Sequence, residues 1–193
     1  MFVITRKRWW GFAAVLTGVL AAGCGYNTIQ TYDEQVNAAA SQIKVQLQRR
    51  ADLIPNLVET VKGYAKQEQT VFTEVAEARA KLAGAVQSGD LQQMAQANAQ
   101  LTAPLGRLLA IAENYPQLKS NENFRALQDQ LEGTENRIAV ARQDYTDAVN
   151  RYNAYIRRFP QVLTAKVLGK GPRPYFELET PSAAQAPKVD FSK

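Results

Sequence analysis

The sequence predicts an all-α protein: an antiparallel up-and-down bundle of three long helices plus a short fourth helix, behind an N-terminal membrane anchor. Three observations carry that expectation. From Val36 to Leu82 an apolar residue returns every three or four positions, and a second seam of the same kind runs from Phe124 to Phe159. Between them, clusters of glycine, proline, serine and aspartate fall where helices have to stop. The expected organisation is an anchor segment over 1–24, a helical body over 25–169 and an extended tail over 170–193.

Arg6, Lys7 and Arg8 form a positive start, and Trp9 to Ala22 an apolar stretch that ends in LAAGC, Leu20 to Cys24. One reading is a signal resembling that of a bacterial lipoprotein, with cleavage before Cys24 and a diacylglyceryl anchor on its thiol. Ala22 and Gly23 suit such a site, whereas Ala21 stands where leucine is usual. The other reading is an uncleaved span, since the uncharged run from Trp9 to Tyr32 exceeds the roughly 20 residues a bilayer needs. Under both, the basic cluster stays inside and the body faces the periplasm or the cell exterior. The choice between inner and outer membrane stays open.

The first body helix starts by Glu34. Its seam is Val36, Ala40, Ile43, Leu47, Arg50, Ile54, Leu57, Val61, Tyr64, Glu68, Val71, Val75, Ala78 and Leu82, interrupted only by Arg50 and Glu68. The even spacing predicts one continuous helix to about Leu82. GAVQSGD, Gly84 to Asp90, ends it, and Asp90 is placed to cap a second helix that uses Leu91, Met94, Leu101, Leu105, Leu108 and Ile111, with Pro104 inside it as an expected kink. That helix closes at Tyr115 and Pro116.

Ser120 or Asn121 caps the third helix, and Glu122 lies in its first turn, where the helix dipole favours an acid. Pro160 opens a short fourth helix over Gln161 to Gly169, expected across one end of the bundle. Pro172 and Pro174 then hold an extended stretch, and Val189 to Phe191 form a small apolar hook. At about 1.5 Å per residue the first helix would measure roughly 70 Å, the third nearly 60 Å and the second under 40 Å, so the three do not come out flush.

Composition excludes much chemistry. The 193 residues contain no histidine and one cysteine, which removes Ser-His-Asp and Cys-His catalysis, histidine-ligated zinc, Glu-x-x-His di-iron sites and any internal disulfide. No Gly-rich phosphate loop is present. No metal or cofactor is expected, and the protein is not expected to be an enzyme. Glu74 and Glu77 share a helix face, but the pattern places no nucleophile or base beside them. The net charge is +5, and setting aside Arg6, Lys7 and Arg8 leaves 5 − 3, or +2, so nucleic acid is not an expected partner.

Two clusters remain as sites that bind a partner or set helix register. Arg49, Arg50, Asp52 and Asn56 crowd around Pro55, with Arg50 on the seam. Arg50 is expected to pair with Glu132, Glu135 or Asp144 across the bundle, and Asn56 to satisfy the carbonyl that Pro55 releases. Tyr145, Tyr152, Tyr155 and Phe159 form an aromatic stripe expected in the core, with hydroxyls reaching the surface and Asn150 and Asn153 beside it as a polar rim.

QLQRRADLIPNLVETVKGYA from Gln46 to Ala65, ENYPQLKSNENFRALQDQLEGTENRIAVARQDY from Glu113 to Tyr145, AVNRYNAYIRRFP from Ala148 to Pro160, and PYFE and VDF in the tail resemble the LemA family of bacterial membrane-associated proteins. The resemblance covers most of the chain beyond residue 26. It implies an all-helical up-and-down bundle described as four-helical, held to a membrane by its N-terminus, and no settled activity. It also implies company with other envelope proteins, including membrane metalloproteases of the HtpX kind. The cysteine-bearing start departs from the commonest family pattern.

The expected function is a non-catalytic, membrane-anchored scaffold that presents helical faces to a membrane or periplasmic protein partner of unknown identity. The alternatives are a spacer lipoprotein that self-assembles as a homo-oligomer and an accessory to an HtpX-like protease.

Overall fold

The computed structural model describes the backbone of residues 6–176 and the side chains of residues 25–176. The hook at Val189 to Phe191, the tail beyond residue 176 and the side chain of Cys24 lie outside the described residues. Six helices form among the described residues: α1 (Arg6–Lys62), α2 (Gln69–Ser88), α3 (Leu91–Asn114), α4 (Pro116–Lys119), α5 (Glu122–Ile156) and α6 (Gln161–Val167). No strand occurs among them. No helix among the described residues is long and apolar enough to cross a membrane.

The first body helix is not continuous to Leu82. It ends at Lys62, and a turn through Gly63 to Glu68 folds the chain back into α2. In the turn, the amides of Tyr64 and Ala65 both donate to the carbonyl of Val61 at 3.0 Å. A glycine inside a helix costs about 1 kcal/mol relative to alanine. Val61, Ala65 and Phe72, before, in and after the turn, are all buried, and large apolar side chains gain about 1.5–3 kcal/mol each on burial. Tyr64, a seam position inside the turn, is exposed and donates nothing to the core; its hydroxyl accepts from Asn121 Nδ2 at 3.1 Å.

Other boundaries follow local chemistry. Gly89, at φ 75°, ends α2 in the left-handed region that glycine enters freely, and the Asp90 carboxylate accepts from the amides of Gln92 at 2.8 Å and Gln93 at 3.2 Å to cap α3. The Asn121 side chain accepts from the Phe124 amide at 3.0 Å and caps α5. Pro160 immediately precedes α6 instead of lying in it. Helix α5 ends at Ile156, so Phe159 falls outside the stripe and is 81% exposed.

The chain divides into two compact units. One draws on Met1–Gln46 and Gly133–Tyr175, and the other on Leu47–Glu132. In the first unit α1 and α5 run antiparallel: the Tyr32 ring meets Tyr155 edge-on at 5.2 Å, whereas Gln42 and Gln46, further along α1, face Asn136 to Asp144, further back along α5. Ile29, Val36 and Ile43 of α1 and Ile138, Tyr145, Val149 and Tyr152 of α5 are buried side chains of this unit's core.

The second unit is a run of hairpins. The end of α1 turns into α2, and α2 into α3, whose pairing is marked by the ion pair of Glu74 with Arg107. Leu47, Ile54 and Leu57, Val75 and Leu82, and Leu101 and Leu108 supply its core.

Candidate functional site

After α6, Gly169 at φ 66° turns the chain, with the Lys170 amide donating to the carbonyl of Ala165 at 2.9 Å. Pro172 and Pro174 then forbid helix, so Lys170 to Tyr175 form an extended strap along the first unit. An extended segment leaves its peptide groups without local partners, and each needs one supplied. Asn153, buried on α5, supplies two: its Nδ2 donates to the Arg173 carbonyl at 2.9 Å and its Oδ1 accepts from the Arg173 amide at 2.8 Å. The Tyr152 hydroxyl donates to the Gly171 carbonyl at 3.1 Å, and that of Tyr145 to the Pro174 carbonyl at 3.0 Å. The Tyr175 hydroxyl donates to Asn150 Oδ1 at 2.8 Å.

The strap's charges meet on one buried acid of α1. Arg173 donates to Asp33 Oδ1 from Nη2 at 2.7 Å and Nε at 3.0 Å, and Lys170 Nζ reaches Asp33 Oδ2 at 2.6 Å. Burial alone would raise the Asp33 pKa, but the hydrogen bonds and charges of Lys170 and Arg173 outweigh it and hold the carboxyl below the usual carboxylate range. The same pair keeps Arg173 above its ordinary value. Burial pushes the Tyr145 and Tyr152 hydroxyls up, so both act as neutral donors to the strap.

On the other side of the α1–α5 pair lies an open groove of about 400 Å³, lined by Gln42 and Gln46 from α1 and by Asn136, Arg137, Val140, Ala141 and Asp144 from α5. Asp33 and Gln42 are half a turn apart at about 100° per residue, which separates the strapped side from the open one. The groove carries both charges, an amide acceptor and an apolar floor, with Val140 61% exposed. Gln46 Oε1 is buried there with no hydrogen-bond partner among the described residues. No group of three or more His, Cys, Asp or Glu able to hold a metal occurs among the described residues.

The residues singled out from sequence divide between the two units. In the second, Arg50 is buried and its Nη1 donates to Asn98 Oδ1 of α3 at 2.8 Å. Arg49, Asp52 and Asn56 are exposed, and Asp52 accepts from Gln48 one turn back at 2.8 Å. Pro55 has no amide hydrogen, so the Ala51 carbonyl loses its helical donor; Arg79 Nε of α2 replaces it at 3.2 Å, in the role expected of Asn56. In the first unit, Tyr145 and Tyr152 hold the strap, and Tyr155 packs on Tyr32.

Asp33, Lys170 and Arg173 were not singled out. Extending the first seam back by three residues from Val36 lands on Asp33, an acid at a core position, and that is the signal that would have found it.

The comparisons with known proteins agree with one another. The chain is 29% identical over 175 residues to magnetosome protein MamQ 2 of Paramagnetospirillum magneticum, covering 79% of this chain and 64% of that protein. It is 28% identical over 167 residues to magnetosome protein MamQ of Magnetospirillum gryphiswaldense, covering 75% and 61%. It thus spans under two thirds of the length of these relatives. The LemA family pattern matches residues 39–191, most of the helical body and the tail, and the chain belongs to the LemA family.

Proposed function

We propose that this protein is a non-catalytic, membrane-anchored interaction module of the bacterial envelope, and that the open groove between α1 and α5 is the face it offers to a protein partner. The observation that carries this is the groove itself. One side of the helix pair is closed by the chain's own strap, whereas the other keeps a mixed-charge channel with a buried amide acceptor unsatisfied. A buried acceptor of that kind is worth filling with a donor. Arg50, buried on α1 and bonded to Asn98 of α3, and the Tyr145 and Tyr152 hydroxyls, engaged by the strap, are less available than the sequence suggested. LemA membership and the likeness to magnetosome proteins support a membrane-associated role.

Anchoring falls to the N-terminal segment. Lipidation of Cys24 is one mode. An uncleaved span over the uncharged run from Trp9 to Tyr32 is the other. Replacing Cys24→Ser separates them: lost membrane retention and a lost lipid mass support lipidation, and unchanged values end it.

The groove is tested in cells with a photo-crosslinking residue placed at Gln42 or Val140. A discrete envelope protein captured at both positions, and lost with Arg137→Glu, is the expected result. Background capture alone ends the interaction reading.

A further inference from the structure

Four large apolar side chains crowd one end of the first unit. Phe159 is 81% exposed, Leu163 55%, Val167 87% and Tyr26 45%. Short helices usually turn their apolar face inward. Helix α6 does the reverse: Ala165 is its buried residue, while Leu163 and Val167, one turn apart, point outward with Lys166 beside them. Arg157 and Arg158 add charge to the same end and are exposed. None of the ion pairs among the described residues draws on Arg157, Arg158 or Lys166.

The charge is segregated in a way that the net value conceals. From Ala148 to Phe176 there are six basic residues and no acid. Asp33 neutralises the Lys170 and Arg173 pair within the strap. Of the other four, Arg151 lies within α5, and Arg157, Arg158 and Lys166 lie at the end that carries the apolar cluster.

The position of that end is set by Gly25. A Cβ on Gly25 would stand 3.4 Å from Gln161 Cγ and 3.8 Å from the Tyr155 hydroxyl, so α6 packs against the residue that follows Cys24. Where Cys24 carries lipid, residue 25 is the first beyond the anchor; in the uncleaved reading it stands in the outer part of the uncharged run from Trp9 to Tyr32.

We propose that the exposed face of α6, with Phe159, Leu163 and Val167 as apolar wedges and Arg157, Arg158 and Lys166 as headgroup contacts, seats on an anionic bilayer surface and fixes the tilt of the body over its anchor. This rests on the anchoring reading above and is separable from the groove. Apolar side chains framed by basic ones are the composition of interfacial helices, and an apolar protein partner would not call for the basic frame.

The test uses the full chain, purified from membranes and reconstituted in phosphatidylcholine vesicles with and without phosphatidylglycerol. A benzophenone amino acid replaces Leu163 or Val167, and exposed Val45, further along α1, serves as the control. The expected result is flotation with the vesicles and a lipid adduct from 163 and 167 but not 45, richer in the anionic vesicles. The triple variant Arg157→Glu, Arg158→Glu, Lys166→Glu should lower adduct yield roughly tenfold or more, since each basic residue near an anionic surface contributes separately. It should leave flotation and the circular dichroism unchanged.

Flotation without a lipid adduct overturns the surface contact and leaves the anchor standing. So does an adduct to a second protein copy in place of lipid. Equal adducts in both vesicle types overturn the choice of anionic lipid, and failure to float removes the anchor and the surface contact together.

Discussion

Arg173 places two hydrogen bonds, at 2.7 and 3.0 Å, on one oxygen of Asp33, a residue 140 positions earlier in the chain. That contact ties the C-terminal strap to the start of the body. Losing one partner of a buried pair strands the other. Asp33→Ala is expected to lower stability by about 2–3 kcal/mol, less than for a fully enclosed pair because Lys170 and Arg173 keep partial access to water. Denaturant titration followed by circular dichroism measures it.

The same acid predicts a pH dependence. Its folded pKa lies below the ordinary value of 3.8, so its stabilising contribution is present in full above the unfolded pKa and is lost as pH falls through the lower, folded one. The stability difference between the native chain and Asp33→Asn should therefore be flat from neutrality down to about pH 4 and shrink below it. Denaturation midpoints of the two chains across that range provide the check.

Asn153 serves both sides of the Arg173 peptide unit. Asn153→Ala leaves a buried amide and carbonyl unserved and should cost about 2 kcal/mol, whereas Tyr145→Phe or Tyr152→Phe should cost about 1 kcal/mol each. Hydrogen exchange reads the local effect: the Arg173 amide should lose its protection in Asn153→Ala and largely keep it in the tyrosine variants.

Arg79 is expected to matter only because Pro55 is a proline. Arg79→Met should cost about 1 kcal/mol in the native background, where the Ala51 carbonyl depends on it. In a Pro55→Ala background the new amide restores the helical bond, and the same change should be nearly neutral. A double-mutant cycle on the full chain measures the coupling. Equal costs in both backgrounds would show that Arg79 acts through packing.

Much of the framework was legible in the seams and stop signals. Asp90 and Asn121 cap where their short polar side chains precede an apolar periodic run, and Phe124 to Tyr152 follow the seam because helical spacing is a local property. The false continuity of the first helix has a physical cause. A tight turn through Gly63 to Glu68 preserves enough of the apolar spacing that periodicity alone does not register the reversal, and Val61 and Phe72 on either side of it are both buried. Phe159 looked like the last position of the stripe because spacing says nothing about where a helix ends.

The candidate sites were less legible because they are made of long-range pairings. The sequence by itself determined that this chain is helical, that it lacks the residues for most catalytic chemistry, and that a basic, apolar N-terminal segment precedes the body, since each of these depends on residue type and near-neighbour spacing. Tertiary structure alone decided that Arg79 replaces the bond lost at Pro55, that Asp33 receives Lys170 and Arg173, and that α6 turns its apolar face outward beside Gly25. Those outcomes depend on which distant groups arrive within hydrogen-bonding or van der Waals distance, and no local period in the sequence records that.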